Sequence, residues 1–271
     1  MQIFQVDRYA QLARQHCEAY ATAPPFPHAI IDDFLPVEVC ERLLAEFPDP
    51  GAIDWLRFDR HHSKKLATQG DAQFGPFTRE VLLQLNGAAC LQFLQELTGI
   101  RGLIPDPYFE GGGLHQIERG GHLKVHIDFN HHQRLHLDRR INLIVYLNKD
   151  WREEYKGHLE LWDSEMAHCV RRVLPVFNRC VVFSTTEWSY HGHPEPLSCP
   201  PGMTRKSLAL YYYSNGRPAV ERARPHGTLW QERPQQKRTV VRGVCARALR
   251  GLASVAEGPA RLMRRAATIL G

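Results

Sequence analysis

Residues 113–148 read GLHQIERGGHLKVHIDFNHHQRLHLDRRINLIVYLN and contain three short runs rich in apolar and β-branched residues. The runs are GLHQIE, HLKVHID and INLIVYLN, and glycine or charged residues separate them. Short apolar runs bounded by such residues are typical of β-strands. This stretch therefore predicts a β-rich core.

Three more runs of the same kind follow: GHLELWD, CVVFST and SLALYYY. No helical pattern lies between any two of the six runs. Short strands without intervening helices favour a sandwich or jelly roll over a doubly wound parallel sheet. The middle of the chain is therefore predicted to be all-β.

The first hundred residues carry helical patterns instead. Apolar residues recur at helical spacing over residues 7–23, and Pro36 opens a second helix in FLPVEVCERLLAEF. A third helical stretch covers residues 77–97, with a break at Asn86. Residues 58–73 are polar and patternless, which predicts a surface loop.

The composition is that of a globular protein, with 271 residues, 43% hydrophobic and 23% charged. This length supports a core that needs no disulfide or structural metal. No run of about 18 apolar residues occurs, so a membrane-spanning helix is not expected. Seven cysteines without a C-x-x-C pair, and no secretory signal pattern, indicate reduced thiols and a cytoplasmic location.

The net charge of +5 is concentrated near the C-terminus. Residues 237–271 contain eight basic residues and one acid, so the rest of the chain is slightly acidic. Nucleic-acid binding by the main domain is therefore not expected. The basic amphipathic pattern of the tail is typical of a helix that contacts a membrane surface or a protein partner, and equally of a solvated appendage.

A candidate metal site begins in the run LKVHID. Side chains at i and i+2 of a strand project to the same side, so His126 and Asp128 share one face. An imidazole nitrogen and a carboxylate oxygen placed this way can share one metal ion. His136 and Asp138 form a second H-x-D pair with the same alternation, and periodicity leaves both pairs open.

A third ligand is available downstream in VVFSTTEWSYHGHPEP, which offers His191 and His193. Two histidines and one carboxylate leave three positions of an octahedron open, which suits non-haem Fe(II) that binds oxygen and a bidentate cosubstrate. Zinc in a hydrolase accepts the same residue types.

A candidate anion site lies in RKSLALYYY, where Arg205 and Ser207 share one strand face. A guanidinium matches a carboxylate with two parallel hydrogen bonds, and a nearby hydroxyl can donate a further one. The pair predicts a docking point for an oxoacid, although a surface arginine at a strand start shows the same pattern.

Together these motifs resemble the Fe(II)/2-oxoglutarate dioxygenases of the prolyl 4-hydroxylase-like group. The runs HID, RRINLIVYLNKDW, GHLELW, a late histidine and RKS occur here in the order of that family. YLNKDW, residues 146–151, is similar to the hypoxia-sensing prolyl hydroxylases, and FPHAIIDDFL resembles the N-terminal part of bacterial members. The resemblance covers residues 26–218.

The resemblance implies a double-stranded β-helix of the jelly-roll or cupin-like type, with N-terminal helices packed on one sheet and a helical tail. It implies His126, Asp128 and His191 as iron ligands, with His193 as the alternative late ligand.

The resemblance also implies that Arg205, Ser207 and Tyr146 bind the 2-oxoglutarate carboxylate. The chain departs from the family at Ile117, near which relatives often carry a tyrosine that contacts the cosubstrate.

The implied activity is hydroxylation of an unactivated C–H bond, coupled to decarboxylation of 2-oxoglutarate to succinate and CO2. Fe(II), 2-oxoglutarate and O2 are the expected cofactors, with ascorbate as a candidate reductant. A zinc hydrolase and a non-catalytic jelly-roll binding module are the alternatives. The substrate stays open among a protein prolyl residue, a free amino acid, and a glycan or lipid precursor.

The expected organisation has three parts. Residues 1–100 form the N-terminal helical part of the catalytic domain, and residues 101–218 form the double-stranded β-helix. Residues 219–271 form an Arg-rich linker and the basic amphipathic tail.

Overall fold

Four α-helices precede most of the strands in the computed structural model, which describes residues 3–234. The helices are α1 (Val6–Thr22), α2 (Val37–Glu46), α3 (Pro76–Leu85) and α4 (Ala88–Thr98). They occur where the apolar periodicity predicts them, and α3 and α4 are separated at the predicted break. The predicted tail helix lies outside the described residues.

Fourteen strands in the described range form one antiparallel sheet. They are β1 (His28–Ile31), β2 (Leu56–Arg60), β3 (Ser63–Ala67), β4 (Ile104–Pro105), β5 (Gly113–Ile117), β6 (His122–Ile127), β7 (His131–His132), β8 (Leu137–Tyr146), β9 (Leu159–Trp162), β10 (Cys169–Val173), β11 (Cys180–Ser184), β12 (His191–His193), β13 (Arg205–Ser214) and β14 (Leu229–Trp230). The main order is β1-β11-β8-β13-β5-β3-β6-β12-β9-β10, which makes a nearly closed barrel. This is the predicted double-stranded β-helix, and β5, β6, β8, β9, β11 and β13 are the six predicted strands.

Strand β8 separates the apolar core that it shares with the helices from the interior of the barrel. Ile141, Leu143 and Val145 are fully buried in one apolar cluster with side chains of the helices. Asn142 and Tyr146 alternate with them and line the interior of the barrel. Burying large apolar side chains stabilises the fold by about 1.5–3 kcal/mol each, so this alternation attaches the helices to one face and leaves the other for polar groups.

The segment predicted as a loop, residues 58–73, was assigned wrongly. Strands β2 and β3 form a hairpin, and β3 also pairs with β5 and β6 through Leu66 with Gln116 and Ser63 with Leu123. The apolar alternation that marks a strand is absent because one face of the hairpin contacts solvent and the other lines a polar cavity.

The Arg-rich stretch after residue 218 also contributes to the barrel. The first compact unit extends to Gln231, and β14 pairs with β6 through Trp230 opposite His126. Residues 219–231, predicted as the start of a linker, therefore lie in the same unit as the barrel. The expected membrane or protein contacts of residues 237–271 lie outside the described residues.

No helix within residues 3–234 has both the length and the apolar character needed to cross a membrane.

Asn178 joins the loop before α2 to the turn before β11. It is buried, has a φ of 60°, and accepts hydrogen bonds through Oδ1 from Leu35 N (2.9 Å) and Cys40 Sγ (3.1 Å). Its Nδ2 donates to Leu35 O at 2.7 Å.

We expect Asn178→Ala to lower the free energy of unfolding by about 2–4 kcal/mol, because it removes buried hydrogen bonds of about 1 kcal/mol each and places alanine in the left-handed region. Asn178→Gly keeps that backbone conformation at little cost and should recover part of the loss. Urea unfolding of both variants measures this, and equal stability of Asn178→Ala and the wild type would contradict it.

Candidate metal and cosubstrate site

A cavity of about 270 Å³ lies inside the barrel, lined by side chains of β3, β5, β6, β8, β12 and β13. All six predicted site residues face it, and so does His193. The topology explains this convergence, because inward-facing side chains of neighbouring strands meet in a narrow barrel.

Two neighbouring strands bring three candidate metal ligands together. His191 of β12 lies directly opposite His126 of β6, and Asp128 follows two residues after His126. One donor atom from each residue lies within 4.8 Å of the other two. His126 Nε2 is 3.6 Å from Asp128 Oδ1, and His191 Nε2 is 3.4 Å from Asp128 Oδ2.

Backbone carbonyls orient both imidazoles. His126 Nδ1 donates to Lys124 O at 2.8 Å, and His191 Nδ1 donates to Ser189 O at 2.9 Å. A carbonyl oxygen only accepts, so the proton of each neutral ring lies on Nδ1 and the Nε2 lone pair faces the carboxylate. This orientation by a second hydrogen bond is typical of metal-binding histidines.

Asp128 is held ionised and fixed in position. Asn142 Nδ2 donates to Oδ2 at 2.7 Å, and Arg139 Nη2 lies 3.0 Å from the same oxygen. Burial acts to raise the pKa of Asp128, but the charge of Arg139, with His191 and His126, holds the pKa well below its usual range. The carboxylate is therefore charged and its Oδ1 is available as a ligand.

The guanidinium of Arg139 is itself enclosed by aromatic rings. Its central carbon lies 3.5 Å from the ring centroid of Tyr211 and 4.4 Å from that of Phe129. Cation–π contacts in a desolvated site add to the ion pair with Asp128.

Burial lowers the pKa of His191 to about 4, against the opposing effect of the Asp128 charge. The imidazole is therefore neutral at neutral pH, which is the form that binds a metal.

Two imidazole nitrogens and one carboxylate oxygen are a donor set that fits Fe(II). They occupy one side of a metal and leave further positions for other ligands, as in the two-histidine, one-carboxylate sites of non-haem Fe(II) proteins. The residues present therefore fit such an ion.

The same cavity also contains a buried cation. Arg205 of β13 is 5% exposed, donates through Nε to Gly157 O at 2.9 Å, and donates through Nη2 to Tyr146 Oη at 3.2 Å. No carboxylate within residues 3–234 forms a salt bridge with it, and burial lowers its pKa. Ser207, opposite Tyr146 in the sheet, lines the same wall. This cluster can bind the carboxylate of a ligand.

The alternative ligands that the sequence offers do not join this three-residue group. His193 lies beyond a register shift in β12, pairs with Leu123, and is not in the three-residue group. His136 and Asp138 lie near the β7–β8 turn, where Asp138 Oδ1 is 3.7 Å from His131 Nδ1. Neither member of that second H-x-D pair lines the cavity.

Several residues of the site have no signal in the sequence. Arg139 and Asn142 act on Asp128 from a different strand, and Trp230 reaches the site from a two-residue strand far along the chain. The ring centroid of Trp230 is 5.0 Å from that of His126 and 5.0 Å from that of His62. These contacts depend on pairing between distant segments, which local patterns do not contain.

Comparison with known proteins gives one family-model match, which covers part of the barrel. Residues 112–213 match the model of the 2OG-Fe(II) oxygenase superfamily. No curated protein sequence matches the chain.

Solved structures share the fold at low sequence identity. A prolyl-4-hydroxylase from Pseudomonas putida has a TM-score of 0.54 at 18% identity, over 78% of this chain and 100% of that one. A prolyl hydroxylase from Trichoplax adhaerens, in complex with a hypoxia inducible factor peptide fragment, has a TM-score of 0.53 at 18% identity, over 78% of this chain and 92% of that one. HygX from Streptomyces hygroscopicus, with nickel and 2-oxoglutarate bound, has a TM-score of 0.52 at 12% identity, over 81% and 96% of the two chains.

The stability of the metal-free protein is expected to fall as the pH is lowered. The pKa of His191 is about 4 in the folded state, against about 6.5 in the unfolded chain, so the unfolded state takes up the proton first. This residue alone removes about 1.4 kcal/mol per pH unit between those two values. Urea unfolding of the wild type and His191→Gln across this range measures the effect. Parallel curves for the two proteins would contradict it.

Proposed function

We propose that the chain is a 2OG-Fe(II) oxygenase that hydroxylates an unactivated C–H bond of its substrate. Residues 112–213 match the model of that superfamily, and the fold is that of a prolyl-4-hydroxylase. The overall reaction would consume the substrate, O2 and 2-oxoglutarate, and release the hydroxylated product, succinate and CO2. One oxygen atom enters the product and the other enters succinate.

The observation that carries the proposal is the placement of two complementary groups in one cavity. His126, Asp128 and His191 present three metal donors, and Arg205 with Tyr146 presents an unpaired cation and a hydroxyl. A metal with open positions and a carboxylate clamp are what 2-oxoglutarate requires in order to bind at two points.

His126, Asp128 and His191 would hold the iron, which when bound supplies the activation of O2 and the oxidation of the cosubstrate. The backbone carbonyls behind the two histidines keep both Nε2 atoms directed at the metal position. Arg139 and Asn142 keep the third ligand charged and in place, so the protein chain does not have to rearrange when the metal binds.

Arg205, Tyr146 and Ser207 would orient 2-oxoglutarate. The guanidinium and the two hydroxyls can bind the carboxylate distant from the metal, and so leave the oxoacid end to reach the open metal positions. Arg205 is enclosed and forms no salt bridge with an acid in the described part of the chain, so its attraction for a carboxylate is little screened by water.

The oxygenase is favoured over the two alternatives. A zinc hydrolase needs no oxoacid cosubstrate, so it does not explain why the buried Arg205 lines the cavity. A binding module without chemistry does not need oriented metal ligands, whereas both histidines here are fixed with Nε2 toward Asp128.

Fold similarity does not identify the substrate. The Trichoplax adhaerens enzyme was solved with a peptide, and HygX was also solved with hygromycin B, on the same architecture. Specificity is therefore set by side chains around the cavity rather than by the barrel itself.

We expect the protein to release succinate from 2-oxoglutarate only when Fe(II) and O2 are present. Arg205→Ala should raise the KM for 2-oxoglutarate by about ten- to a hundred-fold, because it removes charged hydrogen bonds of about 1.5–3 kcal/mol. Arg171→Ala, which removes an exposed arginine of β10 outside the cavity, is the matched control and should leave KM unchanged. Succinate assays measure both, and an unaltered KM in Arg205→Ala would contradict the assignment.

A further inference from the structure

The cavity carries more positive charge than the proposed cofactors neutralise. Of the residues 3–234 that line it, Asp128 is the one acid, whereas Arg60, Lys65, Arg139 and Arg205 are all cationic. The two charges of Fe(II) and the two of 2-oxoglutarate cancel each other. The loaded cavity therefore keeps a positive surplus.

Three of these four cations have a counter-charge, a proposed ligand or contact with solvent. Arg139 is paired with Asp128, and Arg205 faces the proposed carboxylate of the cosubstrate. Arg60 is exposed at the end of β2 and is balanced by solvent. Lys65 is the cation that remains.

Lys65 extends from β3 toward the cavity and is half-buried. Its Nζ lies 5.4 Å from the ring centroid of Phe58, and no carboxylate within residues 3–234 forms a salt bridge with it. Burial lowers the pKa of Lys65 to about 8, so the amine is still mostly protonated at neutral pH. A partly desolvated ammonium without an acid nearby is destabilising, and an anionic ligand would remove that cost.

His193 is a second polar group in the cavity without a partner. It is 3% exposed, and neither ring nitrogen makes a hydrogen bond within the described part of the chain. Any protonation state of an imidazole offers at least one N–H donor. A buried group of this kind in a lined cavity indicates a ligand that accepts the bond.

The contacts of Trp230 and the volume of the cavity restrict the size of such a ligand. Trp230 of β14 lies against His126 and stacks on His62, with an interplanar angle of 12° for the stacked pair. The cavity of about 270 Å³ must hold 2-oxoglutarate as well as the substrate. Sites for small molecules have volumes of about 300–1,000 Å³, so the space fits a compact molecule.

On the basis of the proposed function, we propose that the substrate is a small molecule with an anionic group, a carboxylate or a phosphate, that binds Lys65 by charge and His193 by a hydrogen bond. Both carboxylates of 2-oxoglutarate have other partners, so this anion belongs to the substrate. A neutral prolyl side chain of a protein offers no such group.

The test uses the full-length protein loaded with Ni(II) and 2-oxoglutarate, so that Arg205 is occupied. Inorganic phosphate and acetate are titrated separately by calorimetry, and the stronger binder distinguishes a phosphate from a carboxylate substrate. Lys65→Met removes the charge at similar length, Lys65→Arg retains it, and Lys64→Met alters the exposed neighbour on the same strand.

We expect one of the two anions to bind the loaded wild type, and Lys65→Met to weaken its binding by about ten-fold or more. Lys64→Met should bind the anion within about two-fold of wild type, and Lys65→Arg should retain most of the affinity. These two variants distinguish the loss of the Lys65 charge from a general disturbance of the strand.

Binding of neither anion, or equal binding by Lys65→Met, would overturn the substrate proposal while leaving the oxygenase intact. Loss of 2-oxoglutarate binding in Lys65→Met would overturn it too, because the lysine would then belong to the cosubstrate site. Failure of the wild type to bind Ni(II) and 2-oxoglutarate would instead contradict the proposed function.

Discussion

The antiparallel pairing of β8 with β13 is the constraint on which the rest of the molecule depends. Over residues 141–146 of β8 and 205–212 of β13, side chains that pack in the apolar core with the helices alternate with side chains that line the cavity. A shift of one residue in either strand would turn Asn142 or Arg205 toward the helices and Leu143 or Leu210 toward the cavity. The packing of the helices therefore fixes the register, and the register fixes the polar site.

The ion pair of Asp128 with Arg139 stabilises the polar interior. Asp128 is matched by Arg139, and the aromatic rings around that arginine exclude water from the pair. Arg205 and Lys65 differ, since neither has an acid within residues 3–234. Cations that are withdrawn from water without an acid lower the stability of the metal-free, ligand-free protein and raise its affinity for anions. The lack of an acidic partner thus accounts for the proposed binding of 2-oxoglutarate by Arg205 and of an anionic substrate by Lys65.

Local patterns were sufficient for the parts of the fold and site that depend on short spacing. The helices follow from apolar periodicity, and the shared face of His126 and Asp128 follows from the i to i+2 geometry of a strand. The sequence could not distinguish His191 from His193 by alternation, because both lie on one short strand with a register shift. In the structure His191 is the one that lies opposite His126.

The hairpin β2–β3 and the strand β14 were missed for a different reason. Strand prediction depends on an apolar face, and the inner face of β3 carries Ser63 and Lys65 because it lines a polar cavity. Strand β14 has two residues and is defined by its partner β6. Arg139 reaches Asp128 only after distant strands pair, so its role could not be read from its neighbours in the chain.

The most direct measurement of the central claim is an anaerobic titration of the metal-free protein with Fe(II) and then 2-oxoglutarate, followed by visible absorbance. A metal-to-ligand charge-transfer band is expected only when both components are present, because the oxoacid must chelate an iron held by His126, Asp128 and His191. Asp128→Ala should abolish the band while the protein stays folded. No band from folded wild-type protein, or an unchanged band in Asp128→Ala, would contradict the account.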